Sequence, residues 1–139
     1  MANQGSQHLN RQDRIYVEAY EKEKCLGRWL EAHGLTRDLC NDLPNIGYMA
    51  FHDDSPVAVI FLRLVEGRMG IIDGLCTDPK ARPDIRNRAI DLLVERVMER
   101  AKELEFKKVI AWSQDAHTLE RSLKHGFERM PDSMIFYKG

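Results

Sequence analysis

Two hydrophobic periods divide this chain in order. Residues 14–20, RIYVEAY, set Ile15, Val17 and Ala19 against Tyr16, Glu18 and Tyr20, the alternation of a half-buried strand. The same stretch also reads as the front of a helix continuing through Glu21–Lys24, since Glu, Ala and Lys favour that state. From Lys22 the spacing lengthens: Cys25, Leu26, Trp29 and Leu30 draw one helical face that stops at His33-Gly34. Residues 36–43 read as a second short helix or an irregular turn, closed by Pro44. Period two then returns. IGYMAFH (46–52) and VAVIFLRLV (57–65) form a hairpin about Asp53-Asp54-Ser55-Pro56, and Glu66-Gly67-Arg68 turns the chain into MGIIDGLCT (69–77). The later arms of this three-strand meander are almost wholly apolar, which predicts helices over the sheet.

A loop containing Pro and Arg precedes the longest helical pattern. Ile85, Ala89, Leu92, Leu93, Val97, Ala101 and Leu104 recur at steps of three and four, opposite Asp91, Glu95, Arg96, Glu99, Arg100 and Lys102. KVIAWS (108–113) follows as a short strand, and strand, helix, strand in succession implies a right-handed crossover between parallel neighbours. Residues 118–125 form a last helix stopped by Gly126, and two short strands are expected about Pro131-Asp132. Residues 1–13 lack an apolar run and are expected to be a disordered tail, leaving 14–139 as one domain.

Composition narrows the function classes. The 21 Lys+Arg against 22 Asp+Glu create no global field, which argues against nucleic acid and membrane surfaces as partners and makes any anion site local. Cys25, Cys40 and Cys76 are odd in number, far apart and not spaced as metal ligands, so the expectation is free thiols, no metal, and a cytoplasmic location. No run reaches membrane-spanning length.

Candidate chemistry concentrates in residues 70–106. A strand feeding a helix through a basic loop can hold a phosphate, because the helix start offers unpaired N–H groups and the positive end of its dipole. Lys80, Arg82, Arg86 and Arg88 could supply the charge, although Asp84 in the same stretch would cap the helix and compete with phosphate. Asp73 lies inside an apolar strand, where a carboxylate is either a general base or a rim residue bonded to backbone or to an arginine. His52, His117 and His125 read as surface residues, and Cys76, Trp29 and Trp112 as core. Tyr16, Tyr20, Tyr48 and Phe51 either line an acceptor pocket or pack in the core.

The order of elements resembles the GNAT superfamily of acyl-CoA-dependent N-acetyltransferases from about Arg14 onward. Three stretches carry the likeness: LCTDP (75–79), similar to the end of that family's fourth strand; RAKELEFKKVIAWS (100–113), similar to its central helix and fifth strand; and SLKHGFE (122–128), similar to its ending at Gly-Phe. The resemblance implies an α+β, α/β/α three-layer domain with a mixed, mostly antiparallel sheet of six or seven strands and helices on both faces. It implies acetyl-CoA as acyl donor, with its pantetheine arm against backbone near Leu75 and Thr77 and its diphosphate at the loop before the long helix. The acceptor would be a small-molecule or peptide amine, and pairing into a homodimer through the final strands is common in the family.

Two departures stand out. The family's loop has the form Gln/Arg-x-x-Gly-x-Gly/Ala. Counted forward from Pro79, Arg82 takes its first place, and the glycines that should follow are absent; counted back from Leu92-Leu93, Ala89 suits the last place, Asn87 stands for a glycine and Asp84 opens the motif. Asn tolerates positive φ well enough to keep a glycine-like turn at Asn87. The family's thiolate-protonating Tyr, four residues before Gly-Phe, is replaced by Ser122, a far weaker acid, while Asp115 could anchor the loop after the fifth strand. The alternative is therefore a GNAT-like binding or structural protein without catalysis, as among small bacteriophage-encoded members.

Overall fold

The computed structural model describes residues 14–22, 25–111 and 116–130. Its centre is a five-stranded sheet in the order β1-β2-β3-β4-β5: β1 (Ile15–Ala19), β2 (Ile46–His52), β3 (Ser55–Val65), β4 (Met69–Thr77) and β5 (Lys108–Ile110). The first four are antiparallel neighbours, and β5 runs parallel to β4. The helices are α1 (Cys25–Ala32), α2 (Pro83–Glu103) and α3 (Ala116–Lys124), with a 3-10 turn at Arg37–Asp42 after α1. The sequence expected six or seven strands. Five are present among the described residues; of the pair expected about Pro131-Asp132, residues 127–130 form no strand and the second arm lies outside the described residues.

Alternation decides which side of the sheet each residue serves. Ala58, Ile60 and Leu62 of β3 point to α2, packing with Ile85, Ala89, Ile90, Leu93, Val94, Val97 and Ala101. Val59 and Phe61 point the other way, to Cys25, Leu26, Trp29 and Leu30 of α1. β3 is buried on both faces, which is why it reads as a continuous apolar run. Helices thus cover both faces. The buried stripe of α2 is turned slightly from the expected one: Ile90 and Val94 are buried, whereas Leu92 and Leu104 are half-buried.

The helix ends follow local chemistry. Gly34 and Gly126 stop α1 and α3 with φ of +78° and +87°. Without a glycine, α2 ends by placing Glu105 at φ +58°, with Phe106 N–H bonded back to Ala101 O at 3.0 Å. The Phe106 ring then fills the space left open at Gly70. Among the described residues no helix is long and apolar enough to cross a membrane.

Candidate functional site

β4 changes character halfway along. Its first residues, Met69, Gly70 and Ile71, pair with Lys108, Val109 and Ile110 of β5, and beyond Ile71 β4 has no strand partner on that side among the described residues. On its other side, Val59 pairs with Cys76 and Phe61 with Asp73, so Gly74 and Leu75 together oppose Ile60 in a β-bulge. Gly74 holds φ +66°, and a Cβ there would lie 2.9 Å from the Phe61 ring. An alanine would meet both left-handed strain and the ring, so Gly74→Ala should cost about 1–3 kcal/mol in a denaturant titration. At the bulge the strand becomes exposed, with Leu75 37% accessible.

Asp73 shares a face with its partner Phe61, the side covered by α1. Arg63 clamps it: Nε and Nη2 donate to Oδ2 at 3.1 and 2.9 Å, and the same Nη2 donates to Asp42 O at 3.0 Å. Both Arg63 bonds fall on Oδ2, so Oδ1 is no part of the clamp. Thr77 closes the strand, and its carbonyl accepts from His33 Nε2 at 2.9 Å. Cys76, 4% exposed, is core as expected, and burial pushes its thiol up to about 11. Cys25 and Cys40 pack in the same cluster, so three cysteines scattered through the sequence meet beneath α1 as free thiols.

The loop after β4 departs most from expectation. The resemblance places the cofactor motif over residues 82–89; α2 begins at Pro83, and five residues, 78–82, make the connection. Asp78 builds this tight turn: its N–H bonds Val57 O, its Oδ1 accepts the Lys80 N–H at 2.9 Å, and its carbonyl accepts the Ala81 N–H. The Asp-Pro-Lys run carried that signal. Pro at the first helical position then starts α2, its missing N–H costing nothing there.

Residues 86–89 consequently lie within the helix. Asn87 is not among the positive-φ residues, so no glycine-like turn exists, and its Oδ1 accepts from Arg121 Nη2 at 2.7 Å. Ala89 is fully buried against the sheet, whereas Arg88 is exposed and Arg86 half-buried. At the N-terminus itself, Arg82 forks onto Asp84, Nε to Oδ1 and Nη2 to Oδ2, both at 3.2 Å. The Asp84 carboxylate also accepts from the N–H groups of Ile85 and of Asp84 itself. Desolvation is the largest single influence and acts upward, but the Arg82 bond and charge and those N–H groups together outweigh it and hold the Asp84 carboxyl below its ordinary value.

α3 is tied to α2 by facing i,i+4 pairs. Arg121 and His125 meet Asn87 and Asp91; His125 Nε2 lies 3.0 Å from Asp91 Oδ1, so His125 is a docking residue rather than the solvated one expected. His117 is exposed as expected. Ser122 Oγ donates to Leu119 O at 2.6 Å within its own helix. Asp115 and Trp112 lie outside the described residues.

The four candidate acceptor aromatics are divided by the sheet. Tyr16 stacks on Phe51 and Tyr20 sets its edge on Phe61, on the α1 face, while Tyr48 is buried on the other under Arg96. A pocket of about 180 Å³ lined by Glu18, Glu21, Met49 and Phe51 adjoins β1. Three strand spacings, about 14 Å, separate β1 from β4, so this pocket does not serve chemistry at the bulge.

No family profile and no curated protein sequence matches the chain. Solved structures do. A GNAT-family acetyltransferase from Streptococcus pneumoniae is 17% identical, with a TM-score of 0.69 over 90% of this chain and 98% of that one. Glucosamine-6-phosphate N-acetyltransferase from Arabidopsis thaliana is 15% identical, with a TM-score of 0.68 over 90% and 99%. A predicted acetyltransferase from Clostridium acetobutylicum, solved with acetyl-CoA, is 15% identical, with a TM-score of 0.62 over 89% and 96%. Likeness of this extent at such low identity is a likeness of fold, and the fold of this chain is that of the GNAT superfamily of acetyltransferases.

Proposed function

We propose that the protein is an N-acetyltransferase that moves an acetyl group from acetyl-CoA to a primary amine. The observation that carries this reading is β4: a left-handed bulge at Gly74, followed by strand backbone without a partner on the β5 side among the described residues. An unpaired strand edge suits an amide-bearing chain such as the pantetheine arm, which can add to it as a further strand would. On this reading Leu75 and Thr77 take that contact, and binding there would compete with His33 for the Thr77 carbonyl.

In the reaction the amine nitrogen bonds to the thioester carbonyl carbon, the C–S bond breaks, and the electron pair leaves on sulfur. The amine must shed a proton, and Asp73 is the candidate acceptor through Oδ1, directly or by way of water. The thiolate then takes its proton from water or from Ser122, whose hydroxyl would first leave Leu119 O. The acceptor class is a small-molecule or peptide amine, in a cytoplasmic protein able to pair with a second copy.

Thermal stability with and without acetyl-CoA tests the reading. Donor at a hundred times its dissociation constant should stabilise the fold by about 2.7 kcal/mol; no shift at millimolar donor would remove it. A second reading, a catalytically silent GNAT-like binding or structural protein, has its own support. The polar groups offered for catalysis and for donor binding are already engaged internally: Asp73 with Arg63 and Ser122 with Leu119, Arg82 with Asp84 and Asn87 with Arg121.

A further inference from the structure

The two ends of an acetyl-CoA molecule meet different conditions in this chain. For the arm, β4 offers its bulged edge, which beyond Ile71 has no strand partner on the β5 side among the described residues. The diphosphate meets a helix start whose groups are engaged within the chain. Pro83 has no N–H to give, the Arg86 N–H is bonded to Arg82 O at 2.9 Å, and the Ile85 and Asp84 N–H groups face the Asp84 carboxylate. The nearest guanidinium, Arg82, forks onto that carboxylate in the two-point geometry it would use for a phosphate. Asp84 thus supplies, from within the chain, the anion that a helix start attracts.

We infer, on the acetyltransferase reading above, that Asp84 is an internal substitute for the donor's diphosphate, so that the protein selects its acyl donor by the pantetheine thioester arm and not by the nucleotide. Asp84 and Arg82 are both largely exposed, with side chains 64% and 61% accessible, so the pair itself is readily parted. What remains is the charge. A carboxylate about 4 Å from two phosphate charges in water opposes each appreciably, enough together for about tenfold in affinity.

The test compares dissociation constants of acetyl-CoA and S-acetylpantetheine, which carries the same thioester without phosphates, by titration calorimetry on the full chain. In Asp84→Asn the affinity for acetyl-CoA should rise about tenfold while that for S-acetylpantetheine stays within twofold. Asp84→Ser, which keeps a neutral oxygen at the helix start, should behave as Asp84→Asn; Asp84→Glu, which keeps the charge, should behave as the unsubstituted protein. Circular dichroism of each variant confirms that α2 is intact. If both thioesters bind and neutralising Asp84 leaves their ratio unchanged, the inference falls and the acetyltransferase reading stands. If neither thioester binds any form, both fall.

Discussion

Phe61→Ala should lower stability by about 3–5 kcal/mol, seen as a reduced midpoint in a urea titration. The ring is 0% exposed at the centre of β3, among Val59, Met49, Leu26 and Trp29. Two glycines make room for it: a Cβ built on Gly47 would come within 2.5 Å of the ring and one on Gly74 within 2.9 Å. Tyr20 sets its edge on the same ring at a centroid distance of 5.0 Å. Removing the ring leaves a void bounded by backbone at Gly47 and Gly74, and backbone held in a sheet cannot collapse inward as a side chain can. Phe61→Leu fills most of the void and should recover over half of the loss. A loss below about 1 kcal/mol for the alanine variant would mean that α1 settles onto the sheet. The bulge rests on this ring, so the variant should weaken acetyl-CoA binding beyond what unfolding accounts for.

Asp73→Asn should lower turnover by about a hundredfold with an amine acceptor, the lower end of what a positioned base contributes. The loss should shrink as pH rises toward the acceptor's own pKa. Without a carboxylate to take the proton, the rate follows the fraction of amine already neutral in solution, and this fraction grows with pH. A plot of kcat against pH should therefore steepen on its alkaline side. Asn keeps the oxygen that Arg63 holds, so the strand geometry survives and the change reads as chemistry. Rates within twofold of the unsubstituted protein at every pH would take Asp73 out of the reaction and leave it as the partner of Arg63. Arg63→Ala separates these roles further: it frees Oδ2 and the Asp42 carbonyl together, so a purely structural clamp would show as lost stability.

Much of the frame is legible in the residues. β2, β3 and β4 fall where alternation and the Asp53-Asp54 turn place them, and Asp53 and Asp54 hold φ of +47° and +70°, as a tight hairpin requires. α1 stops at its glycine, and the strand reading of residues 15–19 prevails over the helical one because β1 gains β2 as a neighbour along five registered pairs. The site was legible only in part. Leu75, Thr77 and Asp73 were singled out in the sequence, and the structure puts them on and beside the bulge of β4, but the loop sought after them is not the one present. The motif was sought at residues 82–89, but Pro83 already starts a helix whose period carries Ala89 into the core.

By itself the sequence determined the elements, their order and the two-sided burial of the sheet, because strand and helix periods are properties of the backbone that neighbouring residues express locally. Only the tertiary structure decided which polar groups are spoken for. Arg63 finds Asp73 ten residues on, Asn87 and Asp91 find Arg121 and His125 thirty-four residues on, and three distant cysteines share one cluster. Such partnerships depend on where elements dock, which no local period encodes. The start of α2 shows both kinds of cause at once. Pro83 and Asp84 mark a helix start in the sequence, but whether that start is open to a phosphate depends on how the Arg82 side chain folds back onto Asp84.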